Sequence, residues 1–111
     1  MDSILNTIKK MLGIDESNTH FDTEVMIHIN SVFADLKRIG VGPAGGFRIT
    51  GTFENWSEFT GDKLDFESVK TYMYLRVRLL FDPPTSSFLV ESMTKQADKL
   101  EWCLNVAAET I

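Results

Sequence analysis

A chain of 111 residues with 43% hydrophobic content has the size of one domain and can bury a modest core without a metal or disulfide framework. Its formal charge of -5 argues against broad contact with a phosphate backbone, because the field of the whole molecule repels nucleic acid. The only cysteine, Cys103, leaves no intrachain disulfide to form and fits a reducing cytoplasm.

Within the first twelve residues Asn6, Lys9 and Lys10 interrupt the apolar positions, so the unbroken apolar run of a signal peptide or membrane span is missing; the expectation is a soluble, untargeted protein. The same stretch predicts a helix. Ser3 supplies its cap, Ile4, Leu5, Ile8, Met11 and Leu12 share one face, and Gly13 suits a left-handed stop. A helix this short needs a neighbour. From a cap at Asp22 a second helix carries Val25, Ile29, Val32, Phe33 and Leu36 on one stripe, with Glu24, Ser31, Asp35 and Arg38 roughly opposite, and ends at Gly40. Gly40, Gly42, Pro43, Gly45 and Gly46 then break every period, which reads as a flexible loop.

Phe47 to Phe53 alternates weakly, as a strand or hairpin arm would, and Asn55 to Phe59 suits one helical turn. A third helix starts after Asp62 or Asp65 and stops before Pro83-Pro84, since the first proline disfavours helical geometry at Asp82 and neither can donate a helix hydrogen bond. Its wheel has two apolar stripes, one of Phe66, Val69, Met73, Val77 and Leu80, the other of Tyr72, Leu75 and Leu79. Such a helix is either central in a bundle or shared between a subunit and its neighbour. The last helix begins between Thr85 and Ser87 and runs towards Ala108, with Leu89, Met93, Ala97, Leu100, Leu104 and Ala107 as its core stripe. On its back face Lys95, Lys99, Trp102 and Val106 follow at spacings of four, three and four, an aromatic and a valine among lysines, as on protein-binding surfaces.

The fold class predicted is therefore mainly α: a compact bundle of about four helices, residues 1–111 forming a single domain, with an irregular glycine-rich loop and a short β-hairpin in the middle. Catalytic chemistry is not expected. His20 and His28 lack the cysteine or carboxylate spacing of a metal site, and Cys103, sharing a turn with Leu100, Leu104 and Ala107, reads as a buried, inert thiol. Gly42 to Gly46 is followed by Phe47-Arg48, where a phosphate-cradling loop needs Lys-Ser or Lys-Thr opening a helix. Asp15-Glu16 and Asp62 with Asp65 stand where helix caps and solvated loops place acids. Lys70 to Arg78 mixes cations with aromatics but scatters them around the wheel, and the Asp82 to Ser87 connection is too long and prolyl for a helix-turn-helix, which leaves a small DNA-binding or regulatory helical domain as the alternative reading. No enzyme activity, cofactor or metal follows from these residues.

Val69-Lys70-Thr71-Tyr72, continuing through Leu79-Leu80-Phe81-Asp82-Pro83-Pro84-Thr85-Ser86-Ser87-Phe88 to Leu100-Glu101-Trp102-Cys103-Leu104-Asn105, resembles the small head-tail connector proteins of siphophages and related prophages. Glu24 to Asn30 and Asn55 to Phe59 resemble the same family, so most of the chain is covered. The resemblance implies a structural adaptor, assembled in the bacterial cytoplasm and located in the virion neck, that forms a homo-oligomeric ring, commonly of twelve copies, under the portal protein. It implies a channel through which DNA passes without specific binding, a platform for the next neck or tail-completion protein, and a subunit that can be monomeric in isolation. On that reading Tyr72, Leu75, Leu79, Lys95, Lys99, Trp102 and Val106 are the candidate interface, and Gly40, Gly42, Pro43, Gly45 and Gly46 a flexible channel or docking loop. No residue is assigned to the portal contact itself.

Overall fold

The computed structural model describes residues 3–61 and 64–109. Five helices follow in order: α1 (Ile4–Met11), α2 (Asp22–Arg38), α3 (Trp56–Thr60), α4 (Phe66–Phe81) and α5 (Ser87–Glu109). Punctuation in the sequence sets their ends. The Ser3 hydroxyl accepts from the Asn6 amide at 3.3 Å to open α1, and Gly13 and Gly40, both at positive φ, follow α1 and α2. Asp65 caps α4 by accepting from the Ser68 amide, while Asp82, ahead of the prolines, ends it. Asp62, the other start weighed for this helix, lies outside the described residues.

The buried stripe of α2, Val25, Ile29, Val32, Phe33 and Leu36, meets Ile4, Leu5 and Ile8 of α1 and Val69, Met73 and Val77 of α4 in one continuous core. Each of these large side chains contributes roughly 2 kcal/mol through the apolar surface it takes out of water. Trp56 enters the same core from α3. A reciprocal cap between Asn55 and Glu58 holds that single turn, and the indole N–H donates to Thr7 Oγ1 at 3.2 Å.

Three sequence expectations are corrected here. Asp22 does not cap α2; it is the first helical residue, and its carboxylate lies 2.8 Å from Lys9 Nζ. Lys9 is 1% exposed and also donates to the Glu16 carbonyl at 3.0 Å, so this lysine, which breaks the apolar run of α1, is a paired, buried link between α1 and α2. The second correction is the hairpin. Among the described residues no strand forms, only an isolated bridge between Ser3 and Asn55. Phe47 and Ile49 still point inward, but Ile49 exchanges both its backbone hydrogen bonds with the Asn30 side chain, at 2.7 and 3.0 Å, instead of with a partner strand. Glu54 similarly accepts from the Thr50 amide and hydroxyl. Alternation thus marks a segment pinned to α2 by side chains.

The third correction concerns the ends of the apolar stripes. Leu80, on one apolar stripe of α4, and Leu89, on the expected core stripe of α5, are 53% and 50% exposed. Arg76 of α4 meets Asp98 of α5, and α4 ends soon afterwards at Phe81, so the first turn and a half of α5 runs past its neighbour. No residue from 85 to 92 is buried.

Candidate interaction face on the last helix

α4 is the central helix. Tyr72 and Leu75 are buried within the subunit, so of the second stripe only Leu79 remains half-covered at the surface. Both were expected in an interface between copies; Tyr72 joins α4 to α5, and Leu75 is buried within the subunit. The Tyr72 hydroxyl donates to Glu101 Oε1 at 2.9 Å; Arg76 donates from Nε to the Tyr72 hydroxyl at 3.2 Å and from Nη2 to Asp98 at 2.9 Å and Glu101 at 3.3 Å. Burial pushes the Tyr72 hydroxyl above its ordinary value, which keeps it protonated and donating. Burial works against the charge on Arg76, but the Tyr72 hydroxyl and Asp98 outweigh it and hold the guanidinium firmly protonated.

Beyond this junction α5 is little covered. Of its 23 residues only Ala97 and Leu104 are buried. Asn105 adds a tether by donating to the Ile39 carbonyl at the end of α2, 2.8 Å away. The opposite side of α5 carries a stripe at the alternating four- and three-residue step of a helix seam: Phe88, Ser92, Lys95, Lys99, Trp102 and Val106. Phe88 is 77% exposed and Trp102 67%. Lys95 and Lys99 are exposed between them and Val106 is half-buried. Lys95 pairs with Glu91 one turn back. Sequence reasoning found the lower half of this stripe but missed Phe88; extending the same step backwards from Lys95 reaches it.

Cys103 lies on the edge of the stripe and is exposed, which corrects the expectation of a buried thiol. It stands about a sixth of a turn from Lys99 and Val106, away from the Ala97–Leu104 line that faces α4.

The glycine loop is fastened at both ends. Val41 is buried, and Gly42, at φ +99°, lies so close to Phe59 that a Cβ there would sit 2.4 Å from the ring. Phe47 closes the far end against Phe33 and Phe59, with ring centroids 5.1 and 5.6 Å away. Pro43, Ala44 and Gly45 form the exposed tip, with Gly40 outside it and Gly46 beside the Lys37 stem.

Among the described residues no group of three or more His, Cys, Asp or Glu side chains is arranged to hold a metal ion. His20 and His28 serve aromatic packing: His20 stands edge-on to Phe21, and Phe21 and His28 both meet Phe81. Asp15 accepts from the Ser17 amide and hydroxyl as a turn residue. No described helix is long and apolar enough to cross a membrane.

A family model described as phage connector protein matches residues 4–110, which include all five helices and the exposed stripe. The chain belongs to the phage connector protein family. Comparison with curated proteins and with solved structures returns no match. Membership gives this connector protein a structural role in a bacteriophage and contacts with other head and tail proteins, in a family that is not typically enzymatic. It accounts for a subunit whose longest helix is the least covered.

Proposed function

We propose that this connector is a head-tail adaptor subunit, a single helical domain that forms a ring beneath the portal, lengthens the DNA channel and presents a platform to the next neck or tail-completion protein. The observation that carries the reading is the two-faced α5. One side rests on α4 through Ala97 and Leu104, while the other offers Phe88 and Trp102 to solvent along a continuous seam. Exposed aromatics on one helical line suit a surface completed by another chain. The net charge of -5 suits a conduit wall that lets duplex DNA slide without adhering.

Assembly takes place in the host cytoplasm and the neck of the virion is the final location. The isolated subunit is monomeric and completes its interfaces on the portal. Sedimentation of the protein alone, and then with the portal assembly of the same phage, tests the reading. A monomer that moves into a ring-sized complex with the portal supports it. A monomer that stays free beside a competent portal removes it.

A further inference from the structure

Resting on the ring reading above, we infer that the outer stripe of α5 in one copy packs along the outer stripe of α2 in the next. Tyr72 turns one flank of α4 towards α5, while Met73, Val77 and Phe81 turn another towards α2. α2 and α5 meet where Asn105 reaches Ile39, and each keeps its own exposed side. A head-to-tail contact between copies needs two such different surfaces.

The two stripes are complementary in size. α5 offers Trp102, whereas α2 offers the exposed small residues Ser31 and Ala34 beside Ile27, which is 62% exposed. Ser31 and Ala34 form one wall of an open groove of about 510 Å³ whose other side is Gly45 to Arg48 of the loop. Large residues on one helix against small residues and a groove on the other permit close packing.

They are also complementary in charge. The exposed side of α2 carries Glu24 in its first turn and Arg38 at its end, whereas Asp22 is already paired with Lys9 and Asp35 with Arg38. The centre of the α5 stripe holds Lys95 and Lys99. Pairing of α5 with α5 would bring these lysines onto their own copies, which disfavours a two-fold dimer through this face.

Charge fixes the direction as well. With Trp102 placed at Ser31 and Ala34 and the helices parallel, Lys95 falls near Glu24 and Glu109 near Arg38; the antiparallel arrangement brings Lys95 towards Arg38. Within one subunit α2 and α5 both run against α4, so they point the same way. Rotation about a ring axis running along the helices preserves that direction, and the contact between copies is then parallel.

Cys103, beside Trp102, supplies the test. In the assembly with portal, Ala34→Cys should give a ladder of disulfide-linked multimers on mild oxidation, and Ala34→Cys with Cys103→Ser should give none. Lys95→Glu should weaken assembly at least tenfold, and adding Glu24→Lys should restore it. A ring that sediments with the portal but gives no ladder and no charge-swap rescue overturns the pairing while leaving the adaptor reading standing. Cross-linking of Cys103 variants to portal subunits instead of to each other overturns it equally. Failure of the wild-type protein to join the portal at all removes the adaptor reading, and this pairing with it.

Discussion

Asn30 holds Ile49 by both of its peptide hydrogen-bonding groups: the Asn30 side-chain oxygen accepts from the Ile49 amide at 2.7 Å and its nitrogen donates to the Ile49 carbonyl at 3.0 Å. One side chain on a helix thereby does for the loop what a neighbouring strand does for a sheet. The Ile49 side chain reaches the core as a result and is 1% exposed.

Replacing Asn30 by alanine removes both bonds and leaves a half-buried amide and carbonyl without their partner. The expected loss is about 2–3 kcal/mol. Urea denaturation reads it as a lower midpoint with an unchanged slope, because the surface exposed on unfolding stays the same.

Gly42→Ala meets two obstacles at once, a φ of +99° and a contact of 2.4 Å with Phe59. The expected destabilisation is about 2–4 kcal/mol. Phe59→Leu in the same chain should recover part of it, so the two changes measured by thermal unfolding add up to less than their separate effects.

The two tryptophans separate folding from assembly. Trp56→Ala empties a core position and loses a hydrogen bond to Thr7, costing about 3–5 kcal/mol. Trp102→Ala leaves monomer stability within about 0.5 kcal/mol and weakens entry into the portal complex. Calorimetry on the monomer and sedimentation with portal check both halves, and unfolding of the Trp102 variant would place that residue in the core.

Acid should weaken the fold a little at Asp65, which caps α4, and at Glu54 in the loop before α3. Hydrogen bonds from Ser68 hold Asp65 below the ordinary carboxylate range; for Glu54, burial pushes upward and the bonds from Thr50 outweigh it. Both pKa values are depressed in the folded state, so this stabilisation is complete above the unfolded values and is lost as pH falls through the folded ones. The loss begins as pH falls past the ordinary carboxylate values, roughly 4 to 4.5. Asp65→Asn should flatten the fall of stability with pH in that range, followed by circular dichroism.

Backbone punctuation was the readable part of the fold. Gly13, Gly40 and Pro83 mark helix ends through local geometry that no tertiary contact overrides, and the apolar spacing of α2 names its buried residues. What the sequence concealed depends on partners distant along the chain. Lys9 is buried because Asp22 and the Glu16 carbonyl arrive beside it, and Ile49 sits in a loop because Asn30 replaces a strand. Leu89 carries the spacing of a core residue in a place that α4 does not reach. The exposed stripe of α5 is half visible in the sequence: Lys95, Lys99 and Trp102 stand out as a mixed stripe, Phe88 does not, and Tyr72 and Leu75 are internal.

The overhang of α5 sets up a gradient of protection along one helix. Residues of the first turns, around Phe88 and Leu89, are exposed, so their amides should exchange with solvent at the rate of local fraying. Those near Ala97 and Leu104 open only when the helix leaves α4. If the adaptor reading holds and another chain covers the overhang, this gradient along a single helix should flatten, so one exchange profile tells an unassembled subunit from an assembled one.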